Sequence, residues 1–184
     1  MRVFVLGTGR CGTTTFARAC AHIENFTAGH ETNSRLVGEQ RFAYPDDHIE
    51  VDNRLSWMLG SLASRFDGTD VLYVHLRRDP DEVANSFLRR WDSDYRANII
   101  RAFAHGIVQR KTDWQEDEKP MVCQTYVDVV TANITEFVST RRSVEYWLPD
   151  LGTAFPEFMN VIGATGPTDR ILAEIGTQHN ASTA

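Results

Sequence analysis

Two short runs of apolar residues dominate the hydrophobic pattern of the chain. Val3–Leu6 and Val71–Leu76 are apolar almost throughout, and a polar or glycine-rich segment follows each of them. Runs of this length are typical of parallel strands that helices cover on both faces. His48–Asp52, in which polar and apolar residues alternate, and Tyr146–Leu148 are predicted as further strands.

Segments with helical spacing of apolar residues lie between these runs. The predicted helices are Thr13 to about Ile23, Leu55–Phe66, a helix that begins at Asp79-Pro80, Asp94–Val108, a helix around Val127–Val138, and two shorter helices that close the chain. Gln109–Pro120 is polar and is predicted as a loop. Strands that alternate with helices predict an α/β fold with crossover connections. Ligands of such folds bind at the carboxyl ends of the strands.

Composition and charge narrow the class of protein. The 184 residues are 42% hydrophobic and 24% charged, as expected for one globular domain that spans residues 1–184. The net charge of −6 argues against non-specific nucleic-acid binding. We expect no membrane span and no cleavable signal. Three scattered cysteines predict neither a disulfide framework nor a metal site, so a cytoplasmic location is expected.

A glycine-rich loop follows the first predicted strand. Gly7–Thr14 reads GTGRCGTT and spaces two glycines as a triphosphate-binding loop does, but Thr13 stands where that motif has lysine. Glycines let a backbone approach an anion closely, and the N-terminus of the following helix favours negative charge. Arg10 adds a cation within the loop. A strand-to-helix turn without a ligand is the alternative, and Cys11 is interpreted as a small filler residue rather than a reactive thiol.

A second basic element follows the strand Val71–Leu76. Arg78 leaves that strand at its carboxyl end, before Asp79-Pro80, and Ser86 lies two turns into the next helix. An arginine and a hydroxyl so placed are able to clamp a second phosphate. For either residue alone, a solvated side chain is the simpler interpretation.

Together the two elements resemble the sulfotransferases that use 3′-phosphoadenosine-5′-phosphosulfate (PAPS). The resemblance covers roughly residues 1–95 and rests on Arg10-Cys11-Gly12-Thr13-Thr14 and on Arg78-Asp79-Pro80, with Ser86 at the family's spacing. It implies that the first element binds the 5′-phosphosulfate, and that Arg78 and Ser86 bind the 3′-phosphate. It also implies a P-loop three-layer sandwich with a mainly parallel central sheet, and a donor that needs no metal.

The same resemblance suggests a catalytic base. In tyrosylprotein sulfotransferases a Gly-Glu-Glu-Thr stretch follows the loop, and its second glutamate is the base; here Gly29-His30-Glu31-Thr32 is similar to it. Glu31 is therefore the expected base. His30 orients it or replaces it, and Arg10 stabilises charge on the leaving phosphate. A surface helix cap at Glu31-Thr32 is the structural alternative.

The remaining polar residues leave several possibilities open. The stretch His48-Ile-Glu50-Val-Asp52-Asn53-Arg54 alternates polar and apolar residues, so its polar members share one strand face and either line an acceptor pocket or face water. His75, within an apolar strand, is interpreted as a core residue. The expected acceptor is a hydroxyl of a small molecule, carbohydrate, lipid or peptide. A divergent P-loop kinase or phosphohydrolase, and a non-catalytic nucleotide-binding module, are the alternative functions.

Overall fold

The computed structural model describes residues 1–92 and 98–177. The described strands are β1 (Arg2–Leu6), β2 (Thr27–His30), β3 (His48–Val51), β4 (Val71–Arg77) and β5 (Ser143–Trp147). The described helices are α1 (Thr13–Cys20), α2 (Leu59–Arg65), α3 (Pro80–Leu88), α4 (Ile99–Gly106), α5 (Glu118–Val138), α6 (Leu151–Ile162) and α7 (Thr168–Ile175). The predicted α/β class is confirmed.

The five strands form one parallel sheet in the order β2-β3-β1-β4-β5. From β1 the chain crosses to one side of the sheet, to β2, whereas from β4 it crosses to the other side, to β5. The two connections therefore diverge between β1 and β4, and this is where ligands of open parallel sheets bind. The glycine loop and the turn at Arg78 lie at this divergence.

Helices cover both faces of the sheet and complete a three-layer sandwich. Phe4, Leu6 and Tyr73 pack on one face with side chains of α2, α3, α4 and α5. Val5 and Val74 pack on the other face with α1, α6 and α7. Because both faces are buried, β1 and β4 need apolar side chains at successive positions, which explains their continuous apolar runs. No helix within the described part of the chain is long and apolar enough to cross a membrane.

Several predicted element boundaries are wrong. The predicted helix Leu55–Phe66 is divided into a 3-10 turn at Asn53–Trp57 and the helix α2, because the Asp52 side chain caps the tight turn. The last predicted strand begins three residues too late and ends one residue too late; β5 ends at Trp147 because Leu148 and Pro149 already begin a 3-10 turn.

Other elements differ in extent or were not predicted. The helix α1 ends at Cys20 rather than near Ile23, and α5 begins at Glu118, inside the predicted loop. Residues 94–97 of the predicted helix Asp94–Val108 lie outside the described residues, and Asn98 caps α4. The strand β2 was not predicted, because its sequence TAGH is short and has no apolar pattern.

Candidate functional site

The loop between β1 and α1 has an unusual backbone conformation, which residues other than glycine rarely adopt. Gly9, Arg10 and Gly12 have φ values of 80°, 59° and 91°, all in the left-handed region. A Cβ at Gly12 would collide with the side chain of Leu148. Because α1 begins at Thr13, the backbone N–H groups of the first turn of this helix lie at the end of the loop. The loop therefore has the features of an anion-binding turn.

Buried hydroxyl groups fix the loop from the core side. Ser56 Oγ donates to the carbonyl of Gly7 at 3.1 Å, and the hydroxyl of Tyr126, in α5, donates to the carbonyl of Thr8 at 2.7 Å. Both contacts are buried, so water does not compete for these carbonyl groups. These two hydrogen bonds tie the loop to the core of the protein.

Cys11 is a core residue of this loop. Its side chain is buried, and burial raises the pKa of the thiol to about 11, so it is uncharged at neutral pH. A Cβ at Gly7 would lie 2.7 Å from the Cys11 sulfur, which shows how tightly the thiol is packed. These facts favour the interpretation of Cys11 as a filler residue, and only its backbone is available to a ligand.

The two basic elements meet beside the loop. Arg10 Nε donates to Ser86 Oγ at 2.9 Å, and Arg78 Nη1 donates to the carbonyl of Arg10 at 3.3 Å. Arg78 Nε also pairs with Glu82 at 2.7 Å. Asp79 accepts a hydrogen bond from the backbone N–H of Glu82 and so caps α3. The structure thus brings together residues that are 68 and 76 positions apart in the sequence.

Three other guanidinium groups lie close enough to Arg10 to affect its pKa. Burial and the nearby guanidinium groups of Arg90, Arg78 and Arg89 lower the pKa of Arg10 to about 10. Arg10 still carries its charge at neutral pH. Repulsion between neighbouring cations is a cost that a bound anion would relieve.

A cavity of about 510 Å³ opens on the other side of the loop. Its lining residues are Gly9, Arg10, Thr13, Thr14, His30, Glu31, Ser34, Arg35, Asn53, Arg54, Phe87, Arg90, Asn98 and Ile99. Five of the predicted site residues are among them: Arg10, Thr13, Thr14, His30 and Glu31. Cys11, Gly12, Arg78 and Ser86 are not among them; Arg78 and Ser86 contact Arg10 from outside the cavity.

Glu31 occupies a constrained position at the end of β2. It has a left-handed φ of 56°, and its backbone N–H donates to the carbonyl of Val51 at 3.1 Å. Its Oε1 pairs with Arg54 Nη1 at 2.5 Å, and both side chains are about 30% exposed (30% and 28%). The next residues form turns rather than a helix, so the interpretation of Glu31-Thr32 as a helix cap is wrong. His30, the last residue of β2, is exposed at the same cavity.

A buried carboxyl group, that of Glu50, holds the segment that follows Glu31. Glu50 is fully buried; its Oε1 accepts from the backbone N–H of Thr32 at 2.8 Å and its Oε2 contacts His48 Nε2 at 3.1 Å. These contacts fix the chain immediately after Glu31.

Asp52 fixes the chain at Arg54. Its Oδ1 accepts from the backbone N–H of Arg54 at 2.8 Å, and its Oδ2 pairs with Arg41 at 2.5 Å. Burial raises the pKa of Asp52, and the Arg41 charge opposes this shift. Asp52, Glu50 and His48 are buried and do not line the cavity, so for these three residues neither water nor a pocket is correct. Asn53 and Arg54, the last polar residues of the same stretch, do line the cavity.

His75 is a buried residue of β4, as the sequence predicts. Burial, followed by the Arg77 charge, lowers its pKa to about 4, so the ring is neutral at physiological pH. Within residues 1–92 and 98–177, no group of three or more His, Cys, Asp or Glu side chains is arranged to hold a metal ion.

Sequence reasoning missed several cavity residues, above all Arg90, and it named Arg54 only within a stretch that either lines a pocket or faces water. Arg54 comes shortly after β3, a neighbour of β1 in the sheet, so a topology with β3 beside β1 could have placed it at the same edge. Arg90 follows α3 and carries no sequence signal of its own.

Comparison with known proteins gives no match: no family model, no curated protein and no solved structure is similar to this chain at a significant level.

Proposed function

We propose that this protein is a sulfotransferase that moves a sulfuryl group from PAPS to a hydroxyl acceptor. The observation that carries the proposal is the junction of Arg10, Ser86 and Arg78 at the divergence between β1 and β4. The loop after β1 supplies an anion-binding turn without a lysine. The segment after β4 supplies an arginine, Arg78, and a hydroxyl, that of Ser86. A donor with two separate anionic groups fits such a pair of elements better than a triphosphate does.

In this proposal the donor is held at both of its ends. Arg10, the backbone of Cys11 and Gly12, and Thr13 and Thr14 bind the 5′-phosphosulfate. The left-handed backbone at Gly9 and Gly12 supports a close approach of the anion to the loop.

Arg78 and Ser86 hold the 3′-phosphate. The ion pair of Arg78 with Glu82 is no obstacle, because an exposed pair of this kind contributes about 0–1 kcal/mol and exchanges readily. No metal is required, since arginine charges replace the lysine and magnesium of a triphosphate site.

The chemical step assigns one role to each of three cavity residues. PAPS supplies a sulfuryl group attached to a good leaving group. The acceptor oxygen bonds to sulfur while the bond from sulfur to the 5′-phosphate oxygen breaks, and the bonding pair leaves with adenosine 3′,5′-bisphosphate. Glu31 accepts the hydroxyl proton, and Arg10 stabilises the charge on the leaving phosphate. His30 orients Glu31 or the acceptor, and it is the rival base.

The contact between Glu31 and Arg54 favours a second candidate, a non-catalytic nucleotide-binding module. One carboxylate oxygen is occupied by a guanidinium at 2.5 Å, as in a structural ion pair. In that case the donor elements bind a nucleotide and Glu31 performs no chemistry. Turnover separates the two candidates, because both predict binding and only the first predicts sulfate transfer.

Calorimetry without magnesium tests the donor. We expect adenosine 3′,5′-bisphosphate to bind much more tightly than AMP, because AMP lacks the group that Arg78 and Ser86 hold. Equal affinities, or a preference for Mg-ATP, would overturn the proposal and favour a kinase or phosphohydrolase. Turnover is then screened by release of the bisphosphate from PAPS with phenols, sugars, lipids and peptides.

A cytoplasmic location belongs to the same proposal, in line with three free, buried thiols.

A further inference from the structure

A second cavity, of about 400 Å³, lies between the segment that follows β3 and the helix α5. Its volume is within the range of small-molecule sites, and it shares no lining residue with the 510 Å³ cavity. The proposed sulfuryl transfer uses none of its residues. Its apolar lining side chains are Trp57, Leu59, Val130 and Phe137, and its polar ones are Ser56, Asn133 and Glu136.

The indole ring of Trp57 is a cavity wall that other aromatic rings hold in place. It stacks on the ring of Tyr126, with 6.0 Å between the centroids and 27° between the planes, and its centroid lies 6.1 Å from that of Phe103. Tyr126 is itself fixed, because its hydroxyl donates to the carbonyl of Thr8 at 2.7 Å. Trp57 is still 40% exposed, so part of its ring is open to a ligand.

Glu136 supplies the charge of this cavity. Among the described side chains that line it, Glu136 is the one charged group, since none is a lysine, arginine or histidine. The backbone carbonyl of Glu136 accepts a hydrogen bond from Ser139 Oγ at 2.7 Å, but its exposed carboxylate has no partner among residues 1–92 and 98–177. Asn133, three residues earlier on α5, adds an amide oxygen as a hydrogen-bond acceptor. The lining therefore favours a cation.

An aromatic ring beside a carboxylate fits an organic cation. The negative face of an aromatic ring attracts a cation, and tryptophan is the best of the aromatic residues for this contact. Phe137 already makes such a contact, because the guanidinium of Arg141 lies 4.2 Å from the centroid of its ring. An ammonium group pairs with a carboxylate, and apolar side chains favour the burial of the skeleton that carries it. An anionic ligand would instead be repelled by Glu136.

We infer that this cavity is a binding site for a small organic amine, a protonated amino group on an apolar skeleton. Trp57 and Glu136 bind the ammonium group, and Leu59 and Val130 contact the skeleton. The inference goes beyond the proposed function and does not depend on it, because the two cavities have no residue in common.

Ligand-observed NMR at neutral pH tests the inference, with phenethylamine as the probe. 2-Phenylethanol, which has the same skeleton and no charge, is the matched neutral ligand. Glu136→Gln removes the carboxylate and keeps the size of the side chain. Asp128→Asn is the matched control, because Asp128 is exposed on the same helix and does not line the cavity. Glu31→Gln removes the carboxylate of the 510 Å³ cavity, and thermal melting shows that each variant is folded.

We expect phenethylamine to bind the wild-type protein at least about five-fold more tightly than 2-phenylethanol, because the indole ring and the carboxylate both favour the charged ligand. Glu136→Gln should weaken phenethylamine by about three- to five-fold and leave 2-phenylethanol unchanged. Trp57→Leu should weaken phenethylamine more than 2-phenylethanol. Asp128→Asn and Glu31→Gln should stay within about two-fold of wild type, since solvent and salt screen distant charges.

Three results would contradict the inference. Equal affinities of the two ligands for the wild-type protein would show that charge is not recognised. An unchanged affinity of Glu136→Gln for phenethylamine would show that the carboxylate does not bind the ammonium group. A loss of affinity in Glu31→Gln but not in Glu136→Gln would place the amine in the 510 Å³ cavity instead.

Discussion

Replacing Glu31 by glutamine tests the proposed chemistry most directly. The amide keeps the size of the side chain and an oxygen for Arg54, but it cannot accept the acceptor's proton. Loss of a general base slows the chemical step by about 10²–10⁴-fold, which corresponds to roughly 2.7–5.4 kcal/mol in the barrier.

The structure allows this effect to be separated from a loss of stability. The Glu31 and Arg54 side chains are 30% and 28% exposed, and an ion pair with this exposure contributes about 0–1 kcal/mol to folding. Glu31→Gln should therefore melt near wild type and bind adenosine 3′,5′-bisphosphate within about three-fold of it, while turnover falls by at least about a hundred-fold.

A matched control lies outside the cavity. Glu39 pairs with Arg65 at the same 2.5 Å, so Glu39→Gln is the same chemical change in the same kind of contact. It should leave turnover unchanged. Turnover is followed as release of the bisphosphate from PAPS with a validated acceptor, and His30→Ala is assayed beside it. Near-normal turnover of Glu31→Gln would refute Glu31 as the base, and an inactive His30→Ala would then assign that role to the histidine.

Four further substitutions test the donor site and two buried ionisable groups. Arg78→Ala should weaken the bisphosphate by roughly 1.5–3 kcal/mol with little effect on AMP, and Ser86→Ala should do the same less strongly; unchanged calorimetric affinities in both would contradict the 3′-phosphate site. Arg41→Leu leaves Asp52 buried without its partner and should cost about 3–5 kcal/mol in urea unfolding, whereas a loss below about 1 kcal/mol would show that the pair is unimportant. His75 has a pKa of about 4 in the folded protein against 6.5 ordinarily, so between these values the unfolded chain binds the extra proton and stability falls as pH falls. Urea unfolding at pH 7.5 and pH 5 should show a loss of about 2 kcal/mol that is absent in His75→Gln, and equal losses in both proteins would contradict this.

The sequence predicts a structural element correctly where a local property of its residues has a single structural explanation. The apolar runs of β1 and β4 follow from burial on both faces of a parallel sheet, and both strands are found where they are predicted. Asp79-Pro80 begins a helix because aspartate caps it and proline fits its first turn. The glycines of the loop predict its unusual backbone, because few other residues adopt positive φ.

Only the tertiary structure decides which side chains contact one another. The polar face of β3 has the same pattern whether it meets water, a pocket or the interior, and the packing of Arg41 and Tyr44 against it makes it interior. The four residues of the edge strand β2 show no alternation or run of apolar residues. They form a strand because β3 pairs with them in parallel.

Part of the candidate site is likewise predictable from the sequence, and the rest depends on the tertiary structure. Local residue types predicted the glycine-rich loop and the turn at Arg78. The contacts of Glu31 with Arg54, and of Arg10 with Ser86, depend on strand order and helix placement, which fix residues 23 and 76 positions apart within a few ångströms of each other. Such distances depend on the packing of the whole sheet and its helices, and no local pattern of residue types encodes them.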